Sequence, residues 1–439
     1  MTIEIVNHTN RSVTIENYST DRYVDVGYMD REWRDVWRQS WLLAGLESDV
    51  RAPGDYFVFD IGREQFLITR NESGSVQGFF NVCRHRGNRL VTEERGHAIN
   101  FRCAYHAWTY DTAGALKAVP YEKRFLDGVP RDERSLREVH TDVWDGFVFI
   151  SMSDHPQPLL EFLGPVAEHL APYRFRDMVL VEDQTVHHQC NWKAVVDNFS
   201  ELYHVDFLHP QHQRMVDCCN DTVHLFPNGH TGLAVPGATV NPRFPIPDEP
   251  TDLQVAQLTN LGLDPQDFNG RVLEVREAVQ RRKREVGNES GIDYAGFSDE
   301  QLSDVWQYNL FPNTILSFTP ERCWVLRPRP HPNDPQQCYF DKLTLLRGGA
   351  PIIGSGSSSM QAAQAISDHH QRPERDAFDY RAIVNGEKTM TDTIDQDIAL
   401  LAGVQAGMSS SGFDTVWLNE DEIRVQHFHD ELTQLVGER

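Results

Sequence analysis

Two short motifs, Cys83-x-His85 and Cys103-x-x-His106, constrain this chain more than any other feature; seventeen residues separate them. Each offers one thiolate and one imidazole, and using all four on a metal requires the chain to fold back on itself between them. The surrounding sequence allows that. DYFVFDIG, EQFLITR, VQGFFNVC, AINFRC, AWTYDTAGALKAV and GFVFISM are short aromatic and β-branched runs broken by Gly, Asn and Asp, which predicts a small antiparallel β domain over about residues 50–152. A tetrahedral Cys2His2 site is compatible with zinc. The grammar differs from a zinc finger, however, because the first pair is C-x-H and the pairs sit at strand ends followed by Gly87 or Trp108.

The alternative is two metal ions unlike in their surroundings, with both thiolates on one iron and both imidazoles on the other, as in a Rieske-type [2Fe–2S] cluster. NVCRHRGNRL followed by FRCAYHAWTYDTAGAL resembles the Rieske segment of ring-hydroxylating oxygenase large (α) subunits, and C-x-H-R-G with C-x-Y-H-x-W-x-Y-D is far more specific than four ligands alone. The resemblance implies Cys83 and Cys103 on one iron, and His85 and His106 on the other.

A second constellation lies in NWKAVVDNFSELYHVDFLHP, residues 191–210. His204 and His209 are five apart, about 140° around an ideal helix, so both reach one metal only if the helix ends or distorts between them. Asn198, Glu201 and His204 are spaced three apart and share a helical face. Two imidazoles and one distant carboxylate make the facial triad of non-haem Fe(II) oxygenases, which leaves positions open for O2 and substrate. N-x-x-E-x-Y-H-x4-H resembles the catalytic-domain signature of the same family, with Asn198 and Glu201 as its catalytic polar residues. In that family the acidic ligand precedes a helix bearing V-Q-x-G. Val404-Gln405-Ala406-Gly407 matches, which points to Asp397 in TDTIDQDIALLAGVQAGMSS, with Asp395 as the competitor and helix capping as the alternative role of either. The resemblance also implies that Glu201 bridges the outer cluster histidine, His106, of one subunit to the iron-ligating His204 of its neighbour. Asp197 competes for that role.

The rest of the chain fits this frame. Residues 32–48, with Trp33, Trp37, Trp41 and Leu42 at helical spacing, predict an amphipathic lead-in helix. Helices are expected at 191–208 and at 272–286, the latter with a solvated charged face, and a final helix near 395. Strands are expected at 311–328 and 337–347, and a mobile surface loop at 349–359. The expected domains are a helical lead-in, 1–48, belonging to the catalytic domain; the Rieske domain, 49–155; and the catalytic mononuclear-iron domain, 156–439. The implied fold is α+β: a Rieske-type antiparallel β domain inserted in a helix-grip (START-like) catalytic domain with a mixed or antiparallel sheet.

Composition narrows the partners. Lys and Arg number 41 against 65 Asp and Glu, a net charge of −24, which repels phosphate backbones and anionic lipid and so argues against nucleic acid and membrane surfaces. No apolar run is long enough to span a bilayer and the N-terminus has no signal-peptide pattern, so a cytoplasmic address is expected, in keeping with seven sparse cysteines. The resemblance implies a Rieske cluster, a mononuclear Fe(II) and electrons from NAD(P)H through a separate reductase or ferredoxin. It also implies O2 and a small organic substrate, and a head-to-tail homotrimer in some cases joined by a β subunit. Dihydroxylation, monooxygenation and demethylation all remain open. The default substrate is an aromatic acid or hydrophobic ring compound shaped by 211–300. An amine or quaternary ammonium compound is the alternative, although no aromatic cage for one is evident. An electron-transfer protein without oxygenase activity and a zinc protein are the readings from other classes.

Overall fold

The computed structural model describes residues 4–6, 18–290, 292–348 and 372–437; the loop expected at 349–359 lies outside them. The chain divides into two compact units, one from Trp33 to Phe162 and one from the segments before and after it.

The inserted unit is β-rich, as its sequence predicts. Its larger sheet has seven antiparallel strands in the order 41–46, 147–151, 138–144, 76–80, 64–70, 55–61 and 95–97, and a smaller one joins 116–118, 109–111 and 100–102. The lead-in departs from expectation. Helical structure ends at Trp37, and Trp41–Leu46 is a fully buried strand paired with Phe147–Ser151. Its apolar run WLLAGL is buried on both faces, a pattern that short strands and buried helices share. That pairing draws residues 33–48 into the β unit, wider than the 49–155 suggested by sequence.

Among the described residues, the main sheet of the larger unit has nine strands: β1 (Glu4–Val6), β2 (Met178–His188), β3 (Thr222–Leu225), β4 (Thr231–Val235), β5 (Val305–Leu310), β6 (Thr314–Thr319), β7 (Arg322–Pro330), β8 (Cys338–Arg347) and β9 (Arg375–Asp379). Their order is β1-β3-β4-β5-β6-β7-β8-β2-β9, antiparallel except for the parallel β2–β9 pair, so the sheet is mixed. Three helices matter for the site: α1 (Trp192–Asn198), α2 (Asp392–Met408) and α3 (Ile423–Val436). Ile423 of α3 packs into a cluster with Val223, Leu233 and Val235 of β3 and β4. The helix expected near 395 starts at Asp392, and α3 is a further helix that the sequence reading did not separate. The helix at 275–290 is present, but its charges are not simply solvated: Arg276 pairs with Asp304, and Lys283 Nζ lies 2.7 Å from the buried Glu321.

On the face of β7 and β8 away from α2, Asp341 accepts hydrogen bonds from Arg329 Nε (2.7 Å), Arg327 NH2 (2.9 Å) and Thr185 Oγ1 (2.9 Å), all buried. Burial pushes the Asp341 carboxyl up, but the Arg329 and Arg327 guanidiniums more than offset this and hold it well below the usual range. A depressed acid stabilises the fold fully above its unfolded pKa of about 3.9, and the contribution fades as pH falls below that value. Asp341→Asn leaves two buried guanidiniums without their shared carboxylate. It is expected to lower stability by about 3–5 kcal/mol, read as a drop in the denaturation midpoint at neutral pH that narrows in acid.

Candidate active site: two metal-ligand constellations

The first constellation lies in the inserted unit, on two loops of like design. Cys83 N–H donates to Asn88 O (2.8 Å) and Gly87 N–H to Cys83 O (3.0 Å); Cys103 N–H donates to Trp108 O (2.8 Å) and Ala107 N–H to Cys103 O (2.9 Å). Each loop turns at a left-handed residue, Gly87 (φ 73°) and Ala107 (φ 57°), which is why the first motif carries Gly there. Both cysteines sit in a hydrophobic cluster with Trp108, Tyr110, Phe79 and Leu116. The His85 and His106 rings are 4.6 Å apart, and His85 stacks on Trp108. Tyr110, quoted in the motif without a role, places its hydroxyl 3.5 Å from Cys83 Sγ and accepts from Arg84 N–H (3.0 Å).

Two facts bear on occupancy. The Nδ1 atoms of His85 and His106 are buried with no hydrogen-bond partner among the described residues. Burial, with Tyr110 opposing it, raises the Cys83 thiol pKa, while burial and His106 lower that of His85. Two buried imidazole nitrogens without a hydrogen-bond partner and two buried sulfurs are a donor set that fits a Rieske cluster.

The second constellation is assembled from segments far apart in sequence. Asn191 caps α1 by accepting from Lys193 N–H (2.9 Å), and its own N–H donates to Gln405 Oε1 (2.7 Å) on α2. Gln405 of the V-Q-x-G element thus ties the start of α1 to α2. Lys193 Nζ pairs with Glu32 Oε1 at 2.7 Å in full burial, anchoring α1 from its other side. The helix ends at Asn198, so the single face expected for Asn198, Glu201 and His204 does not run along one helix. Asn198 stands at the break, its Nδ2 buried and without a hydrogen-bond partner. A single turn, Val205–Leu208, follows, with His204 at its start and His209 leaving helical geometry at its end (φ −113°, ψ 73°). This is the distortion that the five-residue spacing required.

His204, His209 and Asp397 come together, with one ligand atom of each within 4.8 Å of the others. The Nε2 atoms of His204 and His209 lie 3.6 and 3.2 Å from Asp397 Oδ1, an oxygen that is buried and makes no hydrogen bond among the described residues. The opposite ring nitrogens are held. His204 Nδ1 hydrogen-bonds Glu201 Oε1, and His204 N–H donates to Glu201 Oε2 (3.1 Å). His209 Nδ1 donates to Gln396 Oε1 (2.6 Å). With their outer nitrogens fixed, both imidazoles present Nε2 to one point, the orientation a metal needs. Burial lowers the His204 pKa, but Glu201 and Asp397 outweigh it and the net shift is upward. Facing two histidines, a carboxylate oxygen with no donor fits a divalent ion and fits open facial coordination.

The competing acids are occupied elsewhere. Asp395 accepts from Thr389 Oγ1 (2.5 Å) and Met390 N–H (2.8 Å), pinning the approach to α2, whose cap is Thr391. Asp397 is inside α2, where the sequence reading had it precede the helix. Asp197 accepts from Tyr23 OH (2.6 Å) and pairs with His429 Nε2 (3.0 Å). Sequence reasoning missed Gln396, although its place beside Asp397 was visible.

The catalytic-domain model of the ring-hydroxylating α subunit matches residues 175–438, and the Rieske [2Fe-2S] domain model matches 40–138. The chain belongs to the ring-hydroxylating α-subunit family. Within it, the glycine betaine monooxygenase oxygenase subunit of Chromohalobacter salexigens is 31% identical over 189 residues, 43% of this chain and 42% of that one. The naphthalene 1,2-dioxygenase large oxygenase component of Pseudomonas putida is 31% identical over 214 residues, 46% of this chain and 47% of that one. The chain thus spans less than half the length of these relatives. The fold is also that of a quaternary ammonium Rieske monooxygenase (TM-score 0.69, 17% identity, 97% of each chain) and of naphthalene 1,2-dioxygenase with indole bound (TM-score 0.67, 18% identity, 99% of this chain and 98% of that one). No helix among the described residues is long and apolar enough to cross a membrane.

Proposed function

We propose that this chain is the oxygenase component of a Rieske non-haem iron system, hydroxylating or demethylating a small organic substrate with O2 and electrons delivered by a reductase or ferredoxin. The observation that carries the reading is the convergence of His204 Nε2 and His209 Nε2 on Asp397 Oδ1, which has no hydrogen-bond donor among the described residues, in a chain that also bears the two Cys-His loops. When bound, the cluster supplies single electrons and the ferrous ion supplies the place where O2 and substrate meet. The protein's residues do the rest. Cys83, Cys103, His85 and His106 hold the cluster, Trp108 and Tyr110 keep it dry, and Glu201 and Gln396 fix the two iron-binding rings.

A head-to-tail homotrimer, closed by cyclic symmetry, is part of the same proposal. It brings His106 of one subunit to Glu201 of the next, whose two oxygens retain lone pairs after bonding His204. Tyr105 beside His106, and Tyr203 and Phe207 around His204, are large exposed aromatics of the kind interfaces cover. Both aromatic ring compounds and quaternary ammonium compounds are within reach of this reading, since the relatives above are named for each.

Spectroscopy and metal analysis test it. The purified protein is expected to be red-brown with about two cluster irons and one mononuclear iron per chain. Cys103→Ser is expected to abolish the Rieske spectrum and His85→Cys to change it, with the catalytic domain still folded. A colourless zinc protein, or an unaltered spectrum in either variant, refutes the assignment.

A further inference from the structure

Arg322 opens β7, and Arg322, Trp324 and Leu326, two apart along the strand, project from one face of the sheet. That face is the one the metal-bearing elements cover. Leu326 lies opposite Lys342, whose Nζ donates to Met390 O (2.7 Å) just before α2. Trp324 lies opposite Ser317 and Ser317 opposite Gln307, which accepts from Arg424 NH1 (3.0 Å) of α3. Two residues along β5, Asn309 Nδ2 donates to Ser200 Oγ (2.7 Å), immediately before Glu201.

The cations on this face differ in one respect. Lys342 is fully engaged, donating to Glu182 Oε2 (2.5 Å) and Gln184 Oε1 (3.2 Å) as well as to Met390. Arg322 stacks its guanidinium 4.5 Å over the Trp324 ring, and among the described residues it makes no hydrogen bond or ion pair. Its neighbour Glu321 is engaged with Lys283, Tyr294 and Thr319. On the opposite face Arg327 and Arg329 share Asp341. Burial lowers the Arg322 pKa, against the pull of Glu321. A half-buried guanidinium over an indole, with no hydrogen bond from its five N–H donors among the described residues, is built to take a planar anion.

We propose that Arg322, with Trp324 as its platform, receives the carboxylate of an organic acid whose other end is held at the His204–His209–Asp397 centre. The assignment rests on the oxygenase reading and names the substrate class within it. A bidentate guanidinium–carboxylate pair in such a setting favours the anion over a neutral isostere about 10- to 100-fold.

Calorimetric titration of the anaerobic holoenzyme tests this with three carboxylates, cinnamate, naphthalene-2-carboxylate and 4-trimethylammoniobutanoate, each beside its primary amide. At least one carboxylate is expected to bind ten-fold or more tightly than its amide. Arg322→Gln is expected to erase that ratio and Arg322→Lys to keep part of it, with iron content and Rieske spectrum unchanged in both; Arg322→Met replaces the glutamine variant if that one fails to fold. Equal binding of acid and amide, no binding of any acid, or a preference that survives Arg322→Gln overturns the proposal. Loss of the preference in Arg322→Gln, in a protein that consumes no O2 with any of the three acids, leaves the subsite standing and counts against the oxygenase reading instead.

Discussion

Asp397→Ala is expected to strip the mononuclear iron and abolish turnover while the Rieske absorbance stays at its wild-type level. Three protein ligands are the minimum that hold this type of iron, and Asp397 is the only anion among the three brought together here. Its Oδ1 is buried and without a donor, so removal breaks no hydrogen bond at that atom and creates a void lined by two imidazoles. Iron analysis should fall from about three per chain to about two. Asp395→Ala provides the contrast. It removes the acceptor for Thr389 and Met390, costing about 1 kcal/mol of stability, but should leave the iron in place. Iron lost in Asp395→Ala and kept in Asp397→Ala would move the ligand by two residues.

Glu201→Gln is expected to lower turnover by about 10- to 100-fold with both metals bound. Glutamine keeps the length and one acceptor oxygen for His204 Nδ1, so the ring can stay oriented. What it removes is the negative charge and the acceptor capacity that the proposed trimer would use to hold a second imidazole across a subunit boundary. Chemical reduction of the cluster should be normal, placing the defect after electron entry. Wild-type turnover in this variant, or full activity in a monomer, would rule that wiring out.

Much of this was legible in the sequence because the ligands come in local motifs. C-x-H and C-x-x-H name their loops directly, and the alternation of runs such as DYFVFDIG was enough to predict the strands around them. His204 and His209 were legible too, together with the need for a break in the helix, since five residues cannot align on an unbroken one. Trp41–Leu46 was misread because an apolar run with tryptophans at helical spacing fits a helix as well as a buried strand, and only its distant partner, Phe147–Ser151, decides between them. The bonds Gln396–His209 and Gln405–Asn191 escaped for a similar reason: they act across 187 and 214 residues of chain. Arg322 was hidden by its ordinariness, because an arginine at a strand start looks like any other until it is found to have no ion pair among the described residues.

The tie between Gln405 and Asn191 bears on how the chain matures during synthesis. All four residues proposed to hold the cluster lie between 83 and 106, on two loops closed by their own backbone bonds, so that centre needs only the inserted unit to have left the ribosome. The residues proposed to hold the iron run from 204 to 397, and the bond between Asn191 and Gln405 is completed only when residue 405 has emerged and returned to 191. A centre closed by so long a loop forms late, after the sheet that supports it. The residues proposed for the cluster are therefore complete with the inserted unit, whereas those proposed for the ferrous ion are complete only in a nearly finished chain. Shortage of sulfide and shortage of iron would accordingly leave different partly loaded molecules behind.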